Sequence, residues 1–156
     1  MARGGPDGLT TLLVVTCGGA GLSPFAPGTF GTFAAWAVAW MLDVPHHTWL
    51  AVGFAAFVLG VVYTDRAHAA TDTEDPGWIV IDEAAAWWTC YGILGGDLLM
   101  QAAIFFVFRL FDIAKPPPVG WIDRRFKNGF GVMADDLAAA GWTIAALLLL
   151  RPYIAA

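Results

Sequence analysis

Apolar residues run along this chain in five stretches, near residues 29–44, 49–64, 83–94, 98–114 and 137–150, each closed off by turn-forming or charged residues. A helix on the surface of a water-soluble bundle shows a polar face at helical period, yet the stretches at 49–62 and 138–150 are apolar on every side. The pattern predicts an all-α protein, a polytopic membrane bundle of about five short transmembrane helices. Residues 9–22 are left over as an N-terminal segment, expected to be interfacial or re-entrant. Each stretch is shorter than the about 20 residues that span a bilayer comfortably.

Composition strengthens the membrane reading. Hydrophobic residues make up 58% of the 156 positions and charged residues 13%, where a soluble domain carries about 25% charged. Eight Trp and eleven Phe suit the headgroup region, which aromatic rings favour. The length fits one domain, residues 1–156, with no room for a separate soluble module. The formal charge of −5 comes without any basic stripe, which excludes nucleic acid as a partner. Cys17 and Cys90 lie in apolar sequence without metal-ligand spacing and read as small buried hydrophobes. Arg3, the apolar run at 9–15 and Thr16-Cys17 only faintly resemble a lipoprotein signal; the run is short and Thr16 suits it poorly, so the segment is expected to be retained.

Charge sets the expected topology. If the first helix leaves the face that holds Gly28 and the chain crosses five times, Pro45-His46-His47 and Gly95-Gly96-Asp97 become turns on the far side. The near side then collects Arg3, Arg66, Arg109, Lys115, Arg124, Arg125 and Lys127, leaving Arg151 on the far side. Basic residues concentrate on the cytoplasmic side of membrane proteins, so the near side is expected to be cytoplasmic. The same alternation brings Asp65, Asp72, Glu74, Asp75, Asp82, Glu83, Asp112, Asp123, Asp135 and Asp136 to that side. Acids are neutral in the topology rule, so their gathering requires another reason, and a shared site supplies one.

Three elements carry candidate chemistry. Arg109, Asp112 and Lys115 stand at intervals of three on one helix face, before Pro116-Pro117-Pro118 ends the helix; three charges at the edge of an apolar helix are costly without a purpose. Asp82-Glu83 and Asp135-Asp136 are neighbouring carboxylates that repel unless a cation lies between them. With Asp112 they form the oxygen-rich set that hard cations such as Mg²⁺ prefer. The Gly/Pro loop from Ser23 to Thr32 runs straight into a helix, whose exposed N–H groups suit phosphate, although a plain turn capped by Thr29 or Thr32 fits as well. It lacks the GxxxxGK[ST] nucleotide pattern. Asp123-Arg124-Arg125-Phe-Lys127 adds basic groups suited to a phosphate or to anionic lipid headgroups. Together these parts point to metal-assisted phosphoryl transfer. The chain has no DxDxT motif, neither cysteine is followed by an arginine six residues on, and His46, His47 and His68 are not placed for a histidine nucleophile.

Four motifs, Gly21-Leu-Ser-Pro-Phe-Ala-Pro-Gly-Thr-Phe-Gly-Thr32, Asp75-Pro-Gly-Trp-Ile-Val-Ile-Asp-Glu83, Phe108-Arg-Leu-Phe-Asp-Ile-Ala-Lys-Pro116 and Gly131-Val-Met-Ala-Asp-Asp136, resemble in order those of the bacterial phosphatidylglycerophosphatase A family. The resemblance extends from about Gly21 to the C-terminus. It implies a Mg²⁺-dependent phosphatase of the bacterial cytoplasmic (inner) membrane, multi-pass, with its active site facing the cytoplasm. Such an enzyme converts phosphatidylglycerophosphate to phosphatidylglycerol in phospholipid biosynthesis. Carried over by position, the acidic motif residues are Asp82, Glu83, Asp112, Asp123, Asp135 and Asp136, and the basic ones Arg109, Lys115 and Arg124. Ala86 stands where the family usually has glycine, and touches no reacting group.

The expected assignment is therefore Asp82, Lys115, Asp123 and Arg109 as catalytic residues. Glu83, Asp82, Asp112, Asp135 and Asp136 are the expected metal ligands, and Thr29, Gly31, Thr32, Lys115 and Arg124 the phosphate-binding set. Water and an aspartate remain alternative nucleophiles. Expected partners are the phospholipid substrate and surrounding lipids; the sequence leaves the oligomeric state open. The principal rival is a small cation- or proton-coupled transporter, which would place its acids near the bilayer midplane rather than at one edge. A nucleotide-dependent lipid phosphotransferase would need a DGxxAR…GxxxDxxxD pattern that is missing here, and a structural subunit would not need so many acids together.

Overall fold

The computed structural model describes residues 6–71 and 76–154, and among these it contains seven α-helices, one 3₁₀ turn and no strand. The helices are α1 (Pro6–Val15), α2 (Pro27–Leu42), α3 (Thr48–Thr71), α4 (Ile81–Leu94), α5 (Leu98–Ala114), α6 (Val119–Arg125) and α7 (Gly129–Ile154), with the 3₁₀ turn at Ala20–Leu22. The five apolar stretches are α2, α3, α4, α5 and α7, and the N-terminal segment is α1 with the turn after it. Arg3, Asp72, Glu74 and Asp75 lie outside the described residues.

Two boundaries move from where apolar periodicity places them. α3 runs seven residues past Thr64, because the Ala-rich segment that follows has neither Gly nor Pro to stop it. α7 begins at Gly129, so the Asp135-Asp136 pair sits inside the helix rather than ahead of it. Side chains from outside hold that early start. The Asn128 side chain accepts the Gly131 N–H at 3.0 Å, and Asp65 of α3 accepts the Gly129 N–H at 2.6 Å. Both satisfy donors that a helix start leaves orphaned.

α4 forms the centre of the bundle and packs against α2, α3, α5 and α7. Ala84, Ala85, Ala86, Trp87 and Cys90 are all buried along it, so a helix of only 14 residues is enclosed by longer neighbours. The outer surface reverses the pattern of a soluble protein: Trp40, Phe54, Phe106, Ile113 and Leu149 are each at least 70% exposed. Contiguous apolar exteriors of this kind mark a lipid or protein contact. Among the described residues, two helices, Thr48–Thr71 and Gly129–Pro152, are long and apolar enough to cross a membrane. α2 and α5, of 16 and 17 residues, fall short of the comfortable span of about 20.

The two ends of the bundle differ in character. At one end the His46 ring lies 6.5 Å from the Tyr91 ring and backs the turn at Gly95, so the 45–47 and 95–97 turns meet there. The opposite end collects the first turns of α2, α4 and α7 and the last turns of α5. That end holds the charged cluster.

Candidate active site

The charged side chains of the cluster come from the helix ends and connections at one end of the bundle. Asp82 and Glu83 stand in the first turn of α4, Asp135 and Asp136 in the second turn of α7, and Arg109 and Asp112 in the last two turns of α5. Lys115 caps α5 in the left-handed conformation, with its N–H donating to the Phe111 carbonyl. Asp123 comes from α6, which follows directly after the proline run. A pocket of about 140 Å³ lies between them, lined by Asp82, Glu83, Asp112, Asp135 and Asp136 with Lys115, Asp123 and Lys127, and walled by Ile79, Phe126 and Val132. Its size admits a phosphate group with a cation, not a whole phospholipid.

Two basic side chains brace the acids from opposite sides. One Arg109 guanidinium nitrogen donates to Asp112 at 2.6 Å and lies 3.4 Å from a Glu83 oxygen. All three side chains are at most 16% exposed, so these charges are little screened. The Lys115 ammonium reaches Asp135 at 3.0 Å and Asp123 at 3.1 Å. Burial pulls the Lys115 pKa down, but the hydrogen bonds and charges of Asp135 and Asp123 outweigh it and hold the amine above its ordinary range. Lys115 is therefore a permanent cation at any physiological pH.

Glu83 carries a requirement the helix pattern alone does not reveal. It presses against the first turn of α2 at Gly28, where an added Cβ would strike the Glu83 carboxylate and come within 3.1 Å of both Arg109 terminal nitrogens. A side chain at position 28 would therefore push the pair apart. Nearby, Cys17 donates its thiol to the Val80 carbonyl at 3.7 Å. Burial, reinforced by the charge of Glu83, pushes that thiol up to about 12, so it stays protonated beside the acids.

Six carboxylates gather here with three basic side chains, Lys115, Lys127 and Arg109, an excess of negative charge that low dielectric makes costly. One oxygen each of Asp82, Glu83 and Asp136 lie within 4.8 Å of one another. Two buried oxygens, Oε2 of Glu83 and Oδ2 of Asp136, have no hydrogen-bond partner. An all-oxygen donor set with orphaned buried acceptors matches what a hard divalent cation takes as ligands. Asp135 differs from its neighbour, since Lys115 occupies one of its oxygens and the Asp136 N–H the other.

The expected phosphate loop is placed differently. Thr32 is fully buried and its hydroxyl donates to the Gly28 carbonyl at 2.9 Å. Gly31 packs against the Val80 side chain. Pro27 at the first position has no N–H, and the Thr29 and Phe30 N–H groups both donate to Ala26. None of Thr29, Gly31, Thr32 and Arg124 lines the pocket, and Arg124 is exposed with its guanidinium against Gly120. Of the polar groups at this helix start, the Thr32 hydroxyl and the Thr29 and Phe30 N–H groups are taken up by neighbouring carbonyls. Arg109 also stands behind the pocket wall, while Lys127, a basic residue outside the expected site, lines it.

The profile of the phosphatidylglycerophosphatase A family matches residues 13–151. Phosphatidylglycerophosphatase A of Escherichia coli (strain K12) is 35% identical over 125 residues, covering 78% of this chain and 72% of that protein. The protein of the same name from Haemophilus influenzae is 34% identical over 130 residues, 81% of this chain and 79% of its own length. A Bacteroides thetaiotaomicron protein named "Putative phosphatidylinositol-3-phosphatase" is 31% identical over 148 residues, covering 90% of this chain and 92% of that protein. No solved structure matches the chain.

Proposed function

The chain belongs to the phosphatidylglycerophosphatase A family, and from that premise we propose that its acidic pocket hydrolyses the phosphomonoester of phosphatidylglycerophosphate with a Mg²⁺ ion held by Asp82, Glu83 and Asp136. A phosphatase of phosphatidylglycerol synthesis is what membership makes it. The observation that carries the site assignment is the meeting of three carboxylates within 4.8 Å, two of them with orphaned buried oxygens, beside a cationic Lys115. The name of the Bacteroides relative also describes a phosphomonoester on the headgroup of a phospholipid, so the chemistry common to these names is removal of a terminal phosphate from a lipid headgroup.

Bound there, a divalent cation neutralises phosphate charge and lowers the pKa of water. Lys115 binds a non-bridging phosphate oxygen and offsets the charge that builds in the transition state. Asp135, held by Lys115 and accepting the Asp136 N–H, keeps that ammonium aimed into the pocket. Arg109 bridges Glu83 and Asp112 through one guanidinium nitrogen and holds the two carboxylates near each other. One Asp112 oxygen accepts from Arg109, and the Asp112 carboxylate also lies against Asp136 in the pocket lining. Asp123 holds the outer side of Lys115. Water and an aspartate both remain chemically competent as the attacking group.

In the membrane, α2, α3, α4, α5 and α7 cross and α1 lies along α3. The pocket end faces the cytoplasm of a bacterial inner membrane, since Arg66, Arg109, Lys115, Arg124, Arg125 and Lys127 lie toward it while Arg151 lies at the other end of α7. A cation-coupled transporter is disfavoured because the acids stand at helix ends, away from the middle of the bundle.

The deciding measurement is phosphate release from phosphatidylglycerophosphate by protein purified in detergent with Mg²⁺. Glu83→Gln and Asp136→Asn should each lose at least about 100-fold in kcat, the scale of misplaced catalytic geometry. Wild-type inactivity, or variants that match wild type, would overturn the reading.

A further inference from the structure

Lys127 lies 3.7 Å from the same Asp123 oxygen that Lys115 contacts at 3.1 Å. The gap between the two ammonium groups therefore cannot exceed these two distances laid end to end. Both line the pocket, Lys115 beside the buried Asp135 and Lys127 farther out, 46% exposed. The position of Lys127 does not follow from helix stability: it lies beyond the end of α6 at Arg125, and an exposed ion pair of this type contributes only about 0–1 kcal/mol. Drawn to one carboxylate oxygen, the two cations form a close pair that opens to the surface.

The proposed substrate presents a matching pair of charges. Phosphatidylglycerophosphate has a terminal phosphomonoester and, three carbons away, the phosphodiester that joins the headgroup to the lipid. Six bonds separate the two phosphorus atoms, and a chain spans at most about 3.5 Å per three bonds, so the phosphates lie no more than about 7 Å apart. Phosphatidic acid has the monoester without the diester beyond it.

We infer that Lys115 and Lys127, spaced by Asp123, read two phosphates at once: Lys115 takes the monoester to be cleaved and Lys127 the phosphodiester that remains. The inference rests on the proposed substrate and assigns Lys127 as the residue that sets preference for a doubly phosphorylated headgroup. Asp123 is a positioning residue, whose shared oxygen fixes the distance at which the two charges are read.

The test compares kcat/KM for phosphatidylglycerophosphate and for phosphatidic acid of the same acyl chains, in mixed micelles. Wild type should favour the first. Lys127→Met should lower that ratio about ten-fold, chiefly through KM, as loss of one partly screened charge-assisted hydrogen bond predicts. Lys127→Arg should keep most of the preference. Arg125→Met removes an exposed charge that does not line the pocket and should leave the ratio unchanged, and thermal melting reports whether each variant is folded. A ratio that is indifferent to Lys127→Met, or that falls equally with Arg125→Met, overturns the inference while leaving the proposed function standing. Failure of wild type to release phosphate from either lipid overturns both.

Discussion

Gly28→Ala isolates one contact on which the site's geometry depends. The new methyl would enter the space of the Glu83 carboxylate and stand 3.0 Å and 3.1 Å from the two Arg109 terminal nitrogens. Arg109 cannot retreat freely, because the same guanidinium is held at 2.6 Å by Asp112. Glu83 must therefore yield, and it is a proposed cation ligand. Two effects on stability oppose each other. Replacing Gly with Ala inside a helix favours folding by about 1 kcal/mol, whereas overpacking a filled interior costs about 1–3 kcal/mol, so the net change should be a loss of no more than about 2 kcal/mol. Activity has no such compensation: displacing a catalytic group by about 1 Å can cost about 100-fold. Phosphate release should fall by that order while the melting temperature in detergent drops only slightly. Gly141→Ala is the matched control, since a Cβ there meets nothing within 4 Å and should leave turnover unchanged. Turnover of Gly28→Ala within two-fold of wild type would refute the claim that Glu83 must sit against α2.

Other outcomes follow from the same geometry. Mg²⁺ should raise the melting temperature of wild type, as any ligand of the folded state does, and Asp136→Asn should abolish that rise; an undiminished rise would place the cation elsewhere. Lys115→Met leaves Asp135, only 8% exposed, without its counter-charge; a cost of about 1–3 kcal/mol is expected after allowing for the partial exposure of the lysine, and chemical denaturation would measure it. Because Lys115 has its pKa raised in the folded state, its stabilising effect is fully present below the ordinary lysine value and is lost only as pH rises through the elevated one. A loss of stability centred between pH 7 and 9 that vanishes in Lys115→Arg would contradict this. Cysteines introduced singly at Arg125 and His47, in a background lacking Cys17 and Cys90, should label from the cytoplasmic and outer faces respectively; labelling of both from one face would dismantle the crossing pattern.

The sequence made the helices legible because apolar runs and Gly/Pro punctuation are local signals. It was less informative about their ends. Asp135 and Asp136 read as a pair before the last helix, because nothing local announces that Asp65, 64 residues upstream, will accept the Gly129 N–H. Spacing of three also identified Arg109, Asp112 and Lys115 as neighbours, but not that Arg109 turns toward Glu83 while Lys115 turns toward Asp135. α5 ends between Arg109 and Lys115, with Lys115 at its C-cap in the left-handed conformation.

The Gly/Thr loop shows how a motif's composition and its packing can point in different directions. Its glycines and threonines have the composition of an anion cradle, yet a cradle needs free donors, and here the Thr29 and Phe30 N–H groups close on Ala26 and the Thr32 hydroxyl on Gly28. What the loop also supplies is the absence of a side chain at Gly28, which lets the Glu83–Arg109 ion pair from α4 and α5 lie against α2. A negative feature of that kind leaves no chemical signature in the sequence. The same logic extends to Lys127, whose exposed position makes it look like a solvated charge until Asp123 is seen to hold it beside Lys115. In this fold, then, the carboxylates come together at one end of the bundle, while the absent Cβ at Gly28 and the shared Asp123 oxygen set how closely Glu83, Arg109, Lys115 and Lys127 approach one another.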